Sequence, residues 1–238
     1  MLSRLRQLFD RPCSFQVPLA PERVVSVVGD VHGCVALLKS LLPQLPGQVV
    51  LVGDLIDRGD ESRAVLDFVI EQQDIVSLMG NHEAMLLAFL DDPIEAGKRW
   101  MRNGGLQTLA SFGVGGDLSM AKLPRLRDSL ALAMGDDRID WLRNRPLFWT
   151  CGNLVVCHAG ADPRRPLVEQ SRTLLWGHPE CGRTPRSDGL WIAHGHVIVE
   201  EASVGAGVIR VDTGAFAGGP LSAAILGEGE PRIISCKS

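Results

Sequence analysis

The sequence of 238 residues lacks an excess of positive charge, a Cys-x-x-Cys pair and an apolar run long enough to span a bilayer. Its formal net charge of −4 argues against a nucleic-acid partner, because binding to phosphates usually needs a basic face. Spanning a bilayer takes roughly 20 apolar residues, so we expect no membrane insertion. The six cysteines are scattered, which favours reduced thiols in a cytoplasmic protein over a disulfide-stapled secreted one.

The beginning of the sequence also lacks the features of a signal peptide. Residues 1–12 carry three arginines but no continuous apolar segment, so we expect no such leader. Two interpretations of residues 2–9 stay open. One is an amphipathic helix that touches a membrane or a partner, and the favoured one is a frayed terminal helix packed on the domain.

The sequence does contain five short motifs, each directly after an apolar, β-prone run. The motifs are Gly29-Asp30-Val31-His32-Gly33, Gly53-Asp54-Leu55-Ile56-Asp57-Arg58-Gly59, Gly80-Asn81-His82-Glu83, Cys157-His158-Ala159-Gly160 and Ala193-His194-Gly195-His196. Because side chains at the carboxyl ends of neighbouring strands project into one crevice, we expect the motifs to converge. Aspartate, asparagine and histidine in one crevice predict a site for two divalent metals, which can activate water and hold a phosphoryl group.

The pattern between the motifs predicts an α/β (α+β) class and a single domain over residues 1–238. Strands alternate with expected helices at 35–42, 61–71 and 83–90, which indicates a sheet with parallel pairs covered by helices. Residues 99–112 and 123–142 have helix-period apolar residues, so we interpret about 91–145 as a helical insertion over one side of the site. The last third contains further short strands, including 208–211 and 221–226.

The ordered set of motifs resembles the phosphoprotein-phosphatase group of calcineurin-like metallophosphoesterases, and the bacterial and phage lambda-type Ser/Thr phosphatases in particular. This resemblance covers residues 24–226 and implies a four-layer αββα sandwich of two mixed β-sheets. It also implies six metal-binding side chains and a nucleophilic hydroxide that bridges the metals. These side chains are Asp30 and His32 for the first metal, Asp54 as the bridge, and Asn81, His158 and His196 for the second. Imidazole with carboxylate favours Mn, Fe or Zn over Mg or Ca; we expect Mn(II) first, with iron or zinc as alternatives.

Three further residues would act on the substrate if the resemblance holds. His82 would be the general acid that protonates the leaving oxygen, and Asp57 would hydrogen-bond its other nitrogen and favour the cationic form. Arg58 would clamp the phosphoryl oxygens with its planar guanidinium group. Glu83 is expected to cap the following helix rather than touch a metal. His194 competes with His196 as a ligand; the family pattern selects His196 and leaves His194 a structural role.

The sequence departs from the family pattern at two places. Met79 stands where many relatives carry arginine before Gly-Asn-His-Glu. The segment Leu175-Trp176-Gly177-His178 lacks the second phosphate-binding arginine that relatives have at that place. The candidates to replace it are Arg183, Arg186 and Arg102.

The expected activity is two-metal hydrolysis of a phosphomonoester, with a phosphoprotein or a small phosphoester as substrate. A Ser/Thr protein phosphatase is the favoured interpretation, and a symmetrical dinucleoside polyphosphate (diadenosine tetraphosphate) hydrolase is the alternative. Hydrolases of the latter type share the Gly-Asp-x-His-Gly-Cys opening but tend to lack the counterparts of Asp57, Arg58 and Glu83. A non-catalytic scaffold of the same fold is less favoured, because every ligand position is filled.

Overall fold

A computed structural model describes residues 15–237, so the segment 2–9 and Cys13 lie outside the described residues. The strands are β1 (Val25–Val28), β2 (Gln48–Leu51), β3 (Val76–Ser77), β4 (Phe148–Cys151), β5 (Leu154–Cys157), β6 (Trp191–His194), β7 (Ser203–Gly205), β8 (Val208–Arg210), β9 (Leu221–Leu226) and β10 (Arg232–Cys236). The α-helices are α1 (Val35–Leu41), α2 (Ser62–Glu71), α3 (Asn81–Asp91), α4 (Pro93–Trp100), α5 (Leu106–Ser111), α6 (Leu123–Met134), α7 (Asp136–Arg143) and α8 (Ser171–Trp176).

The strands form two mixed sheets of five strands each. The first has the order β10-β9-β1-β2-β3, with β1, β2 and β3 parallel and β9 antiparallel to β1. The second has the order β4-β5-β6-β8-β7, with β5, β6 and β8 parallel and an antiparallel strand at each edge. Each sheet therefore presents the carboxyl ends of three parallel strands at one edge.

The buried apolar residues separate the molecule into four layers. Val27 and Val50 of the first sheet pack against Val156 and Ile209 of the second, which forms the core between the sheets. The other face of the first sheet packs against α1, α2 and α3, and the outer face of the second packs against Leu174 of α8. Because successive side chains of a strand point to opposite faces, each sheet contributes apolar residues to the cores on both of its sides. The predicted sandwich of two mixed sheets is confirmed.

Residues 93–143 contain four α-helices and one π-helical turn, Met101–Gly105, between α4 and α5. Two glycines in the left-handed region of φ interrupt the helices that the sequence pattern predicts as continuous. Gly104 (φ 107°) lies in the π-helical turn, and Gly135 (φ 75°) separates α6 from α7. Such φ values are accessible to glycine at little cost. The helices share the apolar core of α3 and the first sheet.

Two expectations from composition, the lack of a membrane-spanning helix and the reduced cysteines, can be compared with residues 15–237. In this part of the chain, no helix has both the length and the hydropathy needed to cross a membrane. Its cysteines, which are Cys34, Cys151, Cys157, Cys181 and Cys236, are all free thiols, in agreement with the expected reduced state.

Candidate metal centre and active site

The five motif loops lie at the carboxyl edges of the parallel strands in both sheets, and backbone hydrogen bonds connect them. The N–H of His32 donates to the carbonyl oxygen of Asp54 at 2.8 Å, which joins the first two loops. The N–H of Gly195 donates to the carbonyl oxygen of His158 at 2.8 Å. The N–H of His196 donates to the carboxylate of Asp30 at 3.1 Å, which links the two sheets across the crevice. The motifs therefore converge.

Asp54 lies at the centre of this crevice. Its Oδ2 atom is 3.5 Å from Nε2 of His32, 3.8 Å from Nε2 of His82 and 3.4 Å from Nε2 of His158. Its Oδ1 atom accepts the backbone N–H of His82 at 2.9 Å. All four side chains are buried. One carboxylate oxygen thus faces three imidazole nitrogens that come from both sheets.

The hydrogen bonds at Nδ1 determine the tautomers of His32 and His158. His32 Nδ1 lies 2.7 Å from the carbonyl oxygen of Ile56, and His158 Nδ1 lies 3.1 Å from that of Val52. A carbonyl oxygen only accepts, so the proton belongs on Nδ1 and each Nε2 presents a lone pair. Within residues 15–237, the buried Nε2 of His32 has no hydrogen-bond partner. Imidazole and carboxylate lone pairs therefore face each other, an arrangement that a cation between them stabilises.

Asn81 joins the second set of donors from the first turn of α3. Its Oδ1 atom lies 2.7 Å from His158 Nε2 and 2.9 Å from His196 Nδ1. Two sets of candidate ligand atoms result, each within 4.8 Å of one another: His32, Asp54 and His82, and Asp54, His158 and His196. The sets share Asp54, as expected for a bridging ligand. The residues present fit a pair of divalent metals.

Asp30, which the resemblance pairs with His32 at the first metal, belongs to neither set of candidate ligand atoms. Its carboxylate accepts the N–H of His196, and the side chain of Asp212 hydrogen-bonds to it. Burial, followed by the charge of Asp212, raises the pKa of Asp30 well above its ordinary value. Two buried carboxyl groups in contact add negative charge to the crevice, which again favours a cation there.

Glu83 holds the second motif loop through hydrogen bonds to its backbone. Its carboxylate accepts the N–H groups of Asp54 and Leu55 at 2.8 Å and that of Gly80 at 2.9 Å, and its side chain is buried. The helix cap expected for Glu83 is therefore combined with a scaffold for the loop that carries Asp54. Gly80 is needed at this place, because an added Cβ would lie 2.2 Å from Asp54 Oδ1.

Backbone strain concentrates on the predicted site residues. Within residues 15–237, six non-glycine residues have positive φ, and Ala206 is the one outside the site. The other five are His32 (43°), Asp54 (50°), Asp57 (68°), Arg58 (67°) and His196 (64°). Such conformations cost of order 1–3 kcal/mol each and persist where surrounding contacts enforce them, typically at functional sites. This criterion is independent of the side-chain chemistry and selects three of the five motif loops, which are the first, the second and the fifth.

Asp57 and His82 form a buried pair beside the metal donors. Nδ1 of His82 lies 2.7 Å from Oδ2 of Asp57. Trp100 Nε1–H donates to the same oxygen at 3.0 Å, and Thr108 Oγ1–H donates to Oδ1 at 2.6 Å. The remaining nitrogen of His82, Nε2, faces the crevice.

Burial determines the protonation of these groups. It lowers the pKa of His32 and of His158 well below the ordinary value, so both rings are neutral, as metal binding requires. It raises the pKa of Asp57 to about 7, against hydrogen bonds from Thr108 and Trp100 that lower it. Burial, and then the charge of Arg58, lowers the pKa of His82 to about 3. The imidazole of His82 is therefore neutral in the chain alone, and the cationic form beside Asp57 stays a prediction for the site with its metals and substrate.

Two arginines stack on aromatic rings at the site. The guanidinium carbon of Arg58 lies 4.7 Å from the ring centre of Phe216, whose ring is 5.0 Å from that of His32. The guanidinium carbon of Arg99 lies 4.1 Å from the ring centre of Trp176, whose ring is 6.4 Å from that of His196. The charge of Arg58 acts on His32, His82 and His196, whereas Arg99 lies one aromatic ring further out, on Trp176.

The structure separates the other candidates for the missing arginine and for the last ligand. Arg186 is committed elsewhere, because it donates to Asp188 and to the carbonyl oxygen of Asp162. Among residues 15–237, no hydrogen bond, ion pair or aromatic contact places Arg183 or Arg102 at the site, whereas Arg99 stacks on Trp176, whose ring lies near His196. His194 Nδ1 lies 2.9 Å from the carbonyl oxygen of Gly195, and its ring belongs to neither set of ligands.

Sequence reasoning missed five residues that border the site: Trp100, Thr108, Asp212, Phe216 and Arg99. Asp212 had a signal, because it follows an apolar run and precedes Thr213-Gly214 in the same pattern as the recognised motifs. A tryptophan in a helical pattern, such as Trp100, indicates core packing, and the remaining three residues lie in segments whose spacing resembles no ligand motif.

The comparisons with known proteins agree with this geometry. A family model described as calcineurin-like phosphoesterase matches residues 24–200. Serine/threonine-protein phosphatase 2 of Salmonella typhimurium is 30% identical over 84% of this chain and 91% of its own length. A symmetrical bis(5'-nucleosyl)-tetraphosphatase of Nitrosospira multiformis is 29% identical over 63% of this chain and 48% of its own length. The chain thus spans about half the length of the first tetraphosphatases it matches.

Among solved structures, a candidate diadenosine tetraphosphatase has a TM-score of 0.62 at 24% identity, over 90% of this chain and 95% of that one. At this identity the likeness concerns the fold. The family model, in contrast, covers the motif loops up to His196 and more than half of the chain. The chain belongs to the calcineurin-like phosphoesterase family, whose members include both protein phosphatases and dinucleoside tetraphosphatases.

Proposed function

We propose that this metal-dependent phosphoesterase hydrolyses dinucleoside polyphosphates, with diadenosine tetraphosphate as the representative substrate. Several curated relatives are symmetrical bis(5'-nucleosyl)-tetraphosphatases, at up to 35% identity over 58% of this chain. The comparisons support this alternative better than the Ser/Thr protein phosphatase that the sequence motifs favour.

The observation that carries the proposal is the pair of arginine–aromatic stacks. Arg58 on Phe216 lies beside the candidate ligands, and Arg99 on Trp176 adds a second, exposed guanidinium group one aromatic ring away from His196. A phosphomonoester has one charged phosphoryl group, whereas a polyphosphate chain carries charge on several. Guanidinium groups recognise such oxygens with paired hydrogen bonds, and two of them suit an extended anion. The half-buried ring of Trp176 also offers an edge against which a nucleobase can pack.

The proposed roles follow from what each side chain faces. Asp30, His32, Asp54, Asn81, His158 and His196 would hold two divalent metals, with Mn(II) preferred. Such metals, when bound, lower the pKa of coordinated water and neutralise phosphoryl oxygens. Arg58 would bind the phosphoryl group under attack. His82 Nε2 would deliver a proton to the leaving oxygen once the anionic substrate beside it raises its pKa, while Asp57 holds Nδ1.

A comparison of substrates tests the proposal. With Mn(II) present, kcat/KM for diadenosine tetraphosphate is expected to exceed that for phosphoserine and phosphothreonine peptides by at least ~10-fold, which corresponds to about 1.4 kcal/mol. Symmetrical cleavage is expected to give ADP as the sole nucleotide product, measured by chromatography. Higher kcat/KM for the phosphopeptides would overturn the choice of substrate and leave the metal-dependent hydrolase intact.

Phosphoprotein hydrolysis is the second candidate function. It is favoured by the Salmonella relative, which matches most of both chains, and by the presence of Asp57, Arg58 and Glu83. Exposed Val197 and Ile198, which directly follow His196, supply apolar surface at the rim that suits a peptide side chain. The same comparison of substrates decides between the two functions.

Arg99→Ala separates the two charge positions. Loss of a charged hydrogen-bond donor costs about 1.5–3 kcal/mol, so KM for diadenosine tetraphosphate should rise by about tenfold or more. p-Nitrophenyl phosphate has a single phosphoryl group and does not extend to Arg99. Its KM should therefore change by less than about twofold, which corresponds to less than about 0.4 kcal/mol. Lys98→Ala is the matched control, because Lys98 is the preceding exposed cation of α4. Equal effects of Arg99→Ala on both substrates would exclude Arg99 from polyphosphate binding.

A further inference from the structure

We propose that Trp100 and Thr108, which flank the π-helical turn Met101–Gly105, are positioning residues that aim His82 at the leaving oxygen through Asp57. This inference rests on the proposed function, because it assumes that His82 donates the proton. Neither residue faces the crevice. Both act on the Asp57 carboxylate, from 43 and 51 residues further along the chain.

The carboxylate of Asp57 is held by three side-chain donors. Oδ2 accepts from His82 Nδ1 at 2.7 Å and from Trp100 Nε1 at 3.0 Å, and Oδ1 accepts from Thr108 Oγ1 at 2.6 Å. All four side chains are buried, so no water competes for these bonds. Two donors thus fix the plane of the carboxylate, and the third bond aligns the imidazole with it.

Thr108 also holds the backbone of Asp57. The N–H of Asp57 donates to Thr108 Oγ1 and to Ser62 Oγ, each at 3.0 Å. The hydroxyl of Thr108 therefore accepts from the backbone of Asp57 and donates to its side chain. These bonds stabilise a residue whose φ of 68° is strained for aspartate.

A kink explains how Trp100 and Thr108 reach the same carboxylate. Trp100 ends α4 and Thr108 lies in α5, and Gly104 between them has a non-helical backbone (φ 107°, ψ 6°). Because the chain bends there, the side chains from the two helices both hydrogen-bond to Asp57. Gly105 permits this packing, since an added Cβ would lie 2.6 Å from the Trp100 ring.

The same turn contacts Arg58. The carbonyl oxygen of Gly104 accepts the N–H of Arg58 at 3.4 Å, and an added Cβ on Gly104 would lie 2.6 Å from that nitrogen. Asn103-Gly104-Gly105, for which the sequence alone suggests either substrate contact or a plain helix break, therefore supports the Asp57–Arg58 segment.

The chemical consequence concerns one proton. As the bond from phosphorus to the leaving oxygen breaks, the proton on His82 Nε2 moves to that oxygen and the imidazole becomes neutral. Transfer needs Nε2 aligned with the leaving oxygen, and the Asp57 carboxylate sets the ring orientation. A loosened carboxylate should therefore slow reactions that need the proton and spare those that do not. Metal binding should be unaffected, since neither Trp100 nor Thr108 belongs to the candidate ligand sets.

The test uses Thr108→Val, Thr108→Ser and Trp100→Phe in the full chain with Mn(II). Phenyl phosphate has a basic leaving group that needs protonation, and p-nitrophenyl phosphate does not. Thr108→Val and Trp100→Phe are expected to lower kcat on phenyl phosphate by ~10-fold or more, and on p-nitrophenyl phosphate by less than about twofold. Thr108→Ser keeps the hydroxyl and should restore kcat. Metal content should match that of the unaltered protein.

Two comparisons make the outcome decisive. Thr150→Val removes the hydroxyl of an exposed threonine in β4 and should change neither rate. His82→Asn shows how far each substrate depends on the proton. If its loss of kcat is the same for both leaving groups, the assignment of His82 as the acid fails. If His82→Asn shows that dependence while Thr108→Val and Trp100→Phe slow both substrates equally or not at all, the positioning role alone is wrong. Trp100→Phe retains the stack on Phe89 and so tests the donor if Thr108→Val does not fold.

Discussion

Replacing Asp54 with asparagine is expected to remove nearly all hydrolytic activity together with bound metal. Its Oδ2 atom faces the Nε2 atoms of His32, His82 and His158 at 3.4–3.8 Å. An amide in its place supplies no negative charge between the two sets of ligands. Removal of one preorganised electrostatic partner typically costs ~10²–10³ in kcat, and a residue that both metals would share belongs at the upper end of that range or beyond.

The experiment combines kcat for p-nitrophenyl phosphate with metal analysis of the purified variant. Asp60→Asn is the matched control, because Asp60 is an exposed carboxylate of the same loop region and contacts neither set of ligands. Chelation of the unaltered protein should reproduce the loss, and Mn(II) should restore activity best. A variant Asp54→Asn that keeps two metals and near-normal turnover would remove Asp54 from the centre of the site.

The metal centre could be predicted from the sequence because its donors are local to strand ends. Each motif places a turn residue and a candidate ligand directly after a buried apolar run. A short stretch of sequence therefore shows both the strand and the ligand that follows it. The loops then meet because parallel strands end at the same edge. His196 was selected over His194 by the resemblance, and the structure gives the reason. The chain leaves β6 at His194, and a φ of 64° turns His196 into the crevice.

The support of Asp57 could not be predicted in the same way. Trp100 and Thr108 lie in a helical pattern, where an apolar or small polar residue is usually packing. Their placement at one carboxylate depends on the kink at Gly104, and a periodicity of 3.6 residues does not indicate in which direction the chain bends between two helices. The neutral state of His82 in the chain alone could not be predicted for a related reason. The sequence shows Asp57 as its partner but not the burial that lowers the pKa of the imidazole to about 3.

The missed strands are β4, β7 and β10, which lie at sheet edges and bury little. β4 has one buried residue of four, β10 has none, and β7 has three residues with a glycine at its end. Without a buried face, a strand shows no apolar run, and its pairing with β5, β8 or β9 provides the order. These edges lie away from the motif loops, so their omission did not affect the predicted site.

Replacing His82 with asparagine should affect substrates according to their leaving groups. A positioned general acid contributes typically ~10²–10⁴-fold, and its value grows with the basicity of the leaving oxygen. The loss of kcat is therefore expected to reach that range for a phosphoserine peptide, whose alkoxide leaves poorly without a proton. It should be small for p-nitrophenyl phosphate. Diadenosine tetraphosphate, which expels a weakly basic phosphate oxygen, should resemble the nitrophenyl ester.

The competing role for His82 is metal binding, because its Nε2 lies 3.8 Å from Asp54 Oδ2 and it belongs to one set of candidate ligands. The same variant separates the roles when metal content is measured beside kcat. Loss of metal with equal slowing of all substrates would make His82 a ligand, whereas retained metal with a leaving-group dependence makes it the acid. His158→Asn and His196→Asn are the reference variants, since both should lose metal and slow every substrate alike. The hydrogen bond from Nδ1 to Asp57 favours the acid, because it fixes the ring through its far nitrogen and leaves Nε2 directed at the crevice.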